Sequence, residues 1–197
     1  MITITAFGVR CRISLLFPAL VTFLLTIQTD GLMAICMLAS LIHEIGHIIA
    51  MRLTGMRPEE CTLGLFGIRI RLRTSMGGYG KNAIVAAAGP LINGLSAAIL
   101  WSMGARQSAL VHLLLAVLNL LPVSVLDGGE LLKCALGAAG CRHGAEKVLT
   151  TVSVITVLLL LISGAVLCVI DKGNLTLLIV AAYPALLWFF GKISKTS

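Results

Sequence analysis

Residues 31–53 read GLMAICMLASLIHEIGHIIAMRL, an apolar stretch long enough to cross a bilayer, and the run His43-Glu44-Ile45-Gly46-His47 lies in its second half. In a helix with about 3.6 residues per turn, His43 and His47 stack on one face, where both imidazoles can bind a single ion. Glu44 follows the first histidine directly, so its carboxylate can reach a water on that ion without itself being a ligand. A hydrolytic metal signature therefore sits at membrane depth.

The composition around this run excludes a soluble enzyme. The chain has 197 residues, 58% hydrophobic and 12% charged, and its mean hydropathy of +1.04 is that of a polytopic membrane protein. Apolar windows of about 17–25 residues fall near Ile13–Gln28, Gly31–Leu53, Asn82–Met103, Ser108–Leu121, Val148–Ile170 and Leu175–Phe190, which predicts six transmembrane helices with the fourth the shortest. No small-residue cleavage site follows the first segment, so it reads as a retained crossing. The whole of 1–197 is expected to form one membrane domain, with no further soluble module.

The fifteen Lys and Arg residues test this scheme. Arg10 and Arg12 precede the first crossing. Arg52, Arg57, Arg69, Arg71, Arg73 and Lys81 follow the second, Lys133, Arg142 and Lys147 the fourth, and Lys192 and Lys195 the sixth. Only Arg106 and Lys172 fall on the other side, so both termini are expected in the cytoplasm of a multi-pass cell-membrane protein. The charge of +7 is topogenic. No clustered basic face on a soluble module exists to bind nucleic acid. The six cysteines contain no C-x-x-C pair and read as reduced, space-filling residues.

Between the second and third crossings, Ile68, Ile70 and Leu72 alternate with Arg69, Arg71 and Arg73, a period-two strand with one greasy and one cationic face. With Gly64 and Gly67 permitting a turn, Cys61–Arg73 is expected to be a small hairpin at the cytoplasmic interface. Its arginines would meet lipid phosphates, or its edge would pair with an extended peptide. The otherwise helical fold class is thus all-α with one interfacial hairpin between helices 2 and 3.

Two more motifs carry polar groups into apolar surroundings. Ala88-Gly89-Pro90-Leu91-Ile92-Asn93-Gly94 combines glycines that allow close helix approach with a proline that frees a carbonyl, and Asn93 can hydrogen-bond across helices or toward a cavity. In Asn119-Leu120-Leu121-Pro122-Val123-Ser124-Val125-Leu126-Asp127-Gly128-Gly129-Glu130, Pro122 is expected to end the helix. The glycine pair is expected to place Asp127 in a tight, non-helical turn facing a cavity. His112 reads as a hydrogen-bonded packing residue, and His143 as a solvated one in a basic loop.

A charged side chain at the centre of a bilayer costs about 2.5–3.5 kcal/mol on insertion scales, so each calls for a partner. His43, Glu44, His47 and Asp127 supply one another with partners if they share a cation. Two imidazoles and one carboxylate suit one Zn2+ with an open position for water, whereas a closed structural site would want four protein ligands. Glu44 would act as general base, and the amide of Asn119 or Asn93 would help to stabilise an oxyanion.

His43-Glu44-x-x-His47 in one crossing, Gly89-Pro90-x-x-Asn93 in the next, and Asn119-x-x-Pro122 leading to Leu126-Asp127-Gly128-Gly129 together resemble the site-2 protease family of intramembrane zinc metalloproteases. The similarity runs from the second crossing to about Leu132 and is greatest to the stage IV sporulation protein FB branch. It implies zinc ligation by His43, His47 and Asp127, Glu44 as catalytic base, and cleavage near the cytoplasmic face. Val125 stands where the family often has proline, and Glu130 where a basic residue is common. No CBS or PDZ domain, such as other branches carry, is expected. The expected activity is cleavage of a membrane-associated or membrane-spanning protein, including pro-protein processing of the sporulation type, with the lipid bilayer and a regulatory membrane protein as partners. The alternatives are a membrane enzyme of another H-E-x-x-H class, with a third ligand other than Asp127, and a non-catalytic scaffold, or pseudo-protease, that binds clients without cutting them.

Overall fold

The computed structural model describes residues 2–6, 9–13, 31–56, 58–64, 67–72, 78–141 and 144–170. Its elements run β1 (Ile2–Ala6), β2 (Val9–Ile13), α1 (Leu32–Leu53), β3 (Pro58–Gly64), β4 (Gly67–Leu72), α2 (Tyr79–Ser102), α3 (Arg106–Asn119), α4 (Asp127–Ala138) and α5 (Ala145–Ile170). Nearly all of the first and all of the sixth expected crossing, together with His143, lie outside the described residues. Two compact units divide the chain, Met1–Val117 and Leu118–Ser197.

The first unit contains a four-stranded sheet in the order β1-β2-β3-β4. The stretch expected to fold as a hairpin carries β3 and β4, antiparallel with Cys61 opposite Ile70, Thr62 opposite Arg69 and Gly64 opposite Gly67. β2 adds to β3 in parallel, with Cys11 opposite Cys61, and β1 pairs antiparallel with β2. A fold of helices plus one hairpin therefore understates the β component. Val9-Arg10-Cys11-Arg12-Ile13 has the same period-two alternation as β4, but its arginines read equally well as the cationic flank of a crossing.

α1 and α2 pack closely in this unit because the contact is lined with small residues. A Cβ on Gly46 would stand 2.8 Å from both the Ala88 carbonyl oxygen and Ile92 Cγ2, so only bare backbone fits there. Ala39, Ala50, Ala86 and Ala97 are buried, while Leu38, Leu41, Leu91, Leu95 and Ile99 point outward. An apolar exterior over a small-residue contact is the pattern of helices solvated by lipid, where packing rather than hydrophobicity joins them. α2 runs unbroken through Pro90, the proline forgoing one helical hydrogen bond.

Among the described residues, three helices are long and apolar enough to cross a membrane: Leu32–Leu53, Tyr79–Ser102 and Ala145–Val166. The fourth expected crossing falls short of that. α3 has 14 residues, a rise of about 21 Å against a hydrocarbon core of roughly 30 Å.

In the second unit the chain after α3 makes a turn and re-enters a helix at once. Asp127 is the first residue of α4, preceded by Leu126 in an extended conformation at φ −107° and ψ 164°. This corrects the expectation of a non-helical turn at Asp127. A carboxylate in the first helical turn faces the positive end of the helix dipole, which offsets the poor helix propensity of the glycine pair. The glycines serve packing instead: a Cβ on Gly128 would collide with the Leu120 carbonyl, and one on Gly129 with that of Val123. Val123 and Ser153 are fully buried at the centre of this unit, with Leu149 and Val157 beside them on α5.

Candidate metal centre

α1 presents His43 and His47 one turn apart, with ring centroids 4.8 Å apart and planes at 81°. Both are nearly buried, at 6% and 9% exposure. Their Nε2 atoms face each other at 3.1 Å. Two ligands at about 2.0–2.1 Å from a tetrahedral zinc stand roughly 3.3 Å apart, so the pair is spaced to share one ion.

The remaining ring nitrogens are held from α2. His47 Nδ1 donates to the Val85 carbonyl at 2.7 Å, which leaves its Nε2 as the basic nitrogen. His43 Nδ1 lies 3.3 Å from Asn93 Nδ2, and Asn93 Oδ1 lies 3.1 Å from Nδ1 of His112 on α3. Asn93 is fully buried and His112 is 2% exposed. The Asn93 carboxamide is thus engaged by two imidazoles, and the partner of His112 is a side chain that itself reaches His43.

Gly89 completes the cradle. A Cβ there would meet the Nε2 of His47 and would stand 2.7 Å from both Cε1 and Nε2 of His43, filling the space that both basic nitrogens address. In the sequence alone this glycine serves close helix approach or substrate handling equally well. Its register with the histidines shows only once α1 and α2 are side by side. Glu44, next to His43 on α1, is half-buried.

In the second unit, hydrogen bonds from Leu126 N to Val123 O (2.9 Å) and from Glu130 N to Leu126 O (3.3 Å) lead the turn into α4 and fix the backbone of Asp127. Ser153 braces that turn from α5: it accepts from Ser124 N at 2.9 Å and donates to Leu149 O at 2.6 Å. Nothing in the local sequence marks Ser153 for this role. Asn119 ends α3 just ahead of the turn and is half-buried. The residues expected as ligands are His43 and His47 in the first unit and Asp127 in the second. Their donor set, two imidazoles and a carboxylate, suits zinc with a position left open.

Residues 105–163 match the model of Peptidase family M50. Over 148 residues the chain is 34% identical to the Mycobacterium tuberculosis protein that carries the name zinc metalloprotease Rip3, in two strains. That likeness covers 65% of this chain and 35% of the relative, so the chain spans about a third of the curated proteins it matches. Its fold is that of the site-2 protease from Methanocaldococcus jannaschii, with a TM-score of 0.66, 19% identity, and coverage of 95% of this chain and 92% of the other. The chain is thus similar to peptidase family M50 in one segment, to a protein named as a zinc metalloprotease over a longer stretch, and to a site-2 protease in fold.

Proposed function

We propose that the protein is an intramembrane zinc metalloprotease of the site-2 type, in which His43, His47 and Asp127 hold one zinc ion and Glu44 is the general base. The observation that carries this reading is the pair of facing Nε2 atoms over Gly89, with Val85 O fixing the His47 tautomer. In this reading the two compact units work as one protease domain.

His43, His47 and Asp127 would hold the zinc, which would supply a water acidified toward a pKa of about 7 and a positive charge for the scissile carbonyl. The Glu44 carboxylate accepts the proton of the attacking water and returns it to the leaving amine. The Asn119 amide is the better candidate for an oxyanion donor, because the Asn93 carboxamide is already engaged by His43 and His112. Asn93 acts instead by orienting a ligand.

The substrate in this reading is a membrane-associated or membrane-spanning protein cut near the cytoplasmic face. A helical segment shields its carbonyls, so the substrate must enter extended, and β1 and β4, the outer strands of the sheet, offer backbone to such a strand. Placement of the sheet at the cytoplasmic interface, six crossings and cytoplasmic termini are supported by the distribution of Lys and Arg. A sporulation-type pro-protein as substrate is supported by the motif resemblance alone.

The test is a pair of variants in a reconstituted bilayer. Glu44→Gln is expected to keep one zinc per chain and lose cleavage by at least about a hundredfold, in line with the loss of a general base. His43→Ala is expected to lose both zinc and cleavage. Undiminished cleavage by Glu44→Gln would refute the role given to Glu44; no cleavage by the parent chain would favour the scaffold, and full zinc content in Asp127→Ala would favour an enzyme of another H-E-x-x-H class.

A further inference from the structure

We infer that Arg106, stacked on Trp101, binds the phosphate of an anionic phospholipid headgroup where α2 leaves the membrane. The site stands apart from the metal centre, and its ligand is a component of the bilayer itself.

The connection between α2 and α3 builds the site. Gly104 takes φ +82°, Ala105 N donates to Leu100 O at 2.9 Å, and Gly104 N donates to Trp101 O at 3.1 Å. Two such bonds around a left-handed residue form a Schellman cap, for which glycine carries no Cβ penalty. α3 begins two residues after that glycine, at Arg106. The cap therefore fixes Arg106 against the last turn of α2, and its guanidinium carbon rests 4.0 Å from the centre of the Trp101 ring. An aromatic ring against one face of a guanidinium leaves the N–H donors in its plane free to bind an anion.

The depth of the pair is set by helix length. The 24 residues of α2 rise about 36 Å against a hydrocarbon core of roughly 30 Å. A helix of that length spanning the core carries its end into the headgroup layer, where an indole is favoured. Trp101 is 51% exposed and Met103 73%, and Arg106 is exposed beside them, so the pair faces outward and not into the protein.

Charge then selects the ligand. No Asp or Glu occurs between Cys61 and Leu126, and among the described residues Arg106 has no carboxylate partner. In the six-crossing scheme Arg106 also lies on the side otherwise poor in cations, so it is not one of the topogenic group. An unpaired guanidinium at headgroup depth calls for an anion that the membrane supplies. Phosphate oxygens match its fork in pairs. Phosphatidylglycerol offers a phosphate with no cation of its own, whereas the phosphate of phosphatidylcholine is tethered to a competing ammonium.

The experiment uses the full chain with Trp188→Phe, which leaves Trp101 as the one indole. It is placed in phosphatidylcholine vesicles containing a small, constant fraction of either phosphatidylglycerol or phosphatidylcholine brominated near the headgroup end of its chains. Trp101 fluorescence is expected to report brominated phosphatidylglycerol enriched about fivefold over brominated phosphatidylcholine, the effect of one basic residue at an anionic surface. Arg106→Gln is expected to be quenched equally by the two lipids, with unchanged helical circular dichroism. Equal quenching in the parent overturns the inference, as does selectivity that survives in Arg106→Gln. Should Arg106→Gln fail to fold, the parent's two lipids decide alone. An excess of glycerol phosphate in solution is expected to leave the selectivity intact. Its loss would assign the site to a free phosphate ester and overturn the lipid assignment.

Discussion

At the scale of single residues, absence of a side chain matters as much as presence of one. Gly89 has no Cβ where two imidazole nitrogens converge, and Gly46 has none where the α2 backbone passes. Gly89→Ala should preserve the helix, alanine being the better helix former by about 1 kcal/mol, yet put a methyl group among the basic nitrogens. We expect zinc content to fall from one per chain toward zero with helical circular dichroism unchanged, measured by metal analysis of the purified protein. Cys134 and Cys141 offer a contrast outside the ligand set. Burial first, and the Glu130 charge second, push the Cys134 thiol up, Lys133 opposing in part. A raised pKa means less thiolate at a given pH, so alkylation of buried Cys134 should lag that of exposed Cys141 near neutrality and gain on it as pH rises. Mass spectrometry of the labelled peptides reads the difference.

Among elements, the informative one is the connection from α3 to α4. Pro122 stops one helix and the next begins five residues later at Asp127, a placement the glycine pair alone did not reveal. What holds the intervening turn is Ser153, a residue of a different helix. Ser153→Ala removes the acceptor of Ser124 N and is expected to cost about 1 kcal/mol, the worth of one hydrogen bond. If Asp127 is a ligand, zinc binding should weaken beyond what that stability loss explains, whereas Ser153→Thr, retaining the hydroxyl, should stay near the parent. Chelator competition alongside thermal unfolding separates the two effects. The sheet teaches a similar lesson. β4 was visible because isoleucine and arginine alternate against a polar background, and β2 was not, because Arg10 and Arg12 stand where a crossing also wants cationic flanks.

For the molecule as a whole, the charge pattern makes its own prediction. A fluorescent protein fused to either terminus should fold and fluoresce in the cytoplasm, and a periplasmic phosphatase placed after Gly104 should be active, since Arg106 falls on the opposite side in the six-crossing scheme. Reversal of both reporters would overturn the orientation and with it the cytoplasmic-side cleavage. By itself the sequence determined the solvent, the three long apolar helices, the stacked histidines with their adjacent glutamate, and the presence of an aspartate and an asparagine in apolar surroundings. It could do so because helical and strand periods and the cost of charge in hydrocarbon act locally along the chain. Tertiary structure alone decided that Gly89 lies against the imidazoles, that Val85 O and Asn93 hold their second nitrogens, that His112 closes the chain behind them, and that Ser153 pins the aspartate's turn. Each of these is a contact between residues dozens of positions apart or on different helices, and hydrogen bonding and steric exclusion leave no periodic trace in a sequence.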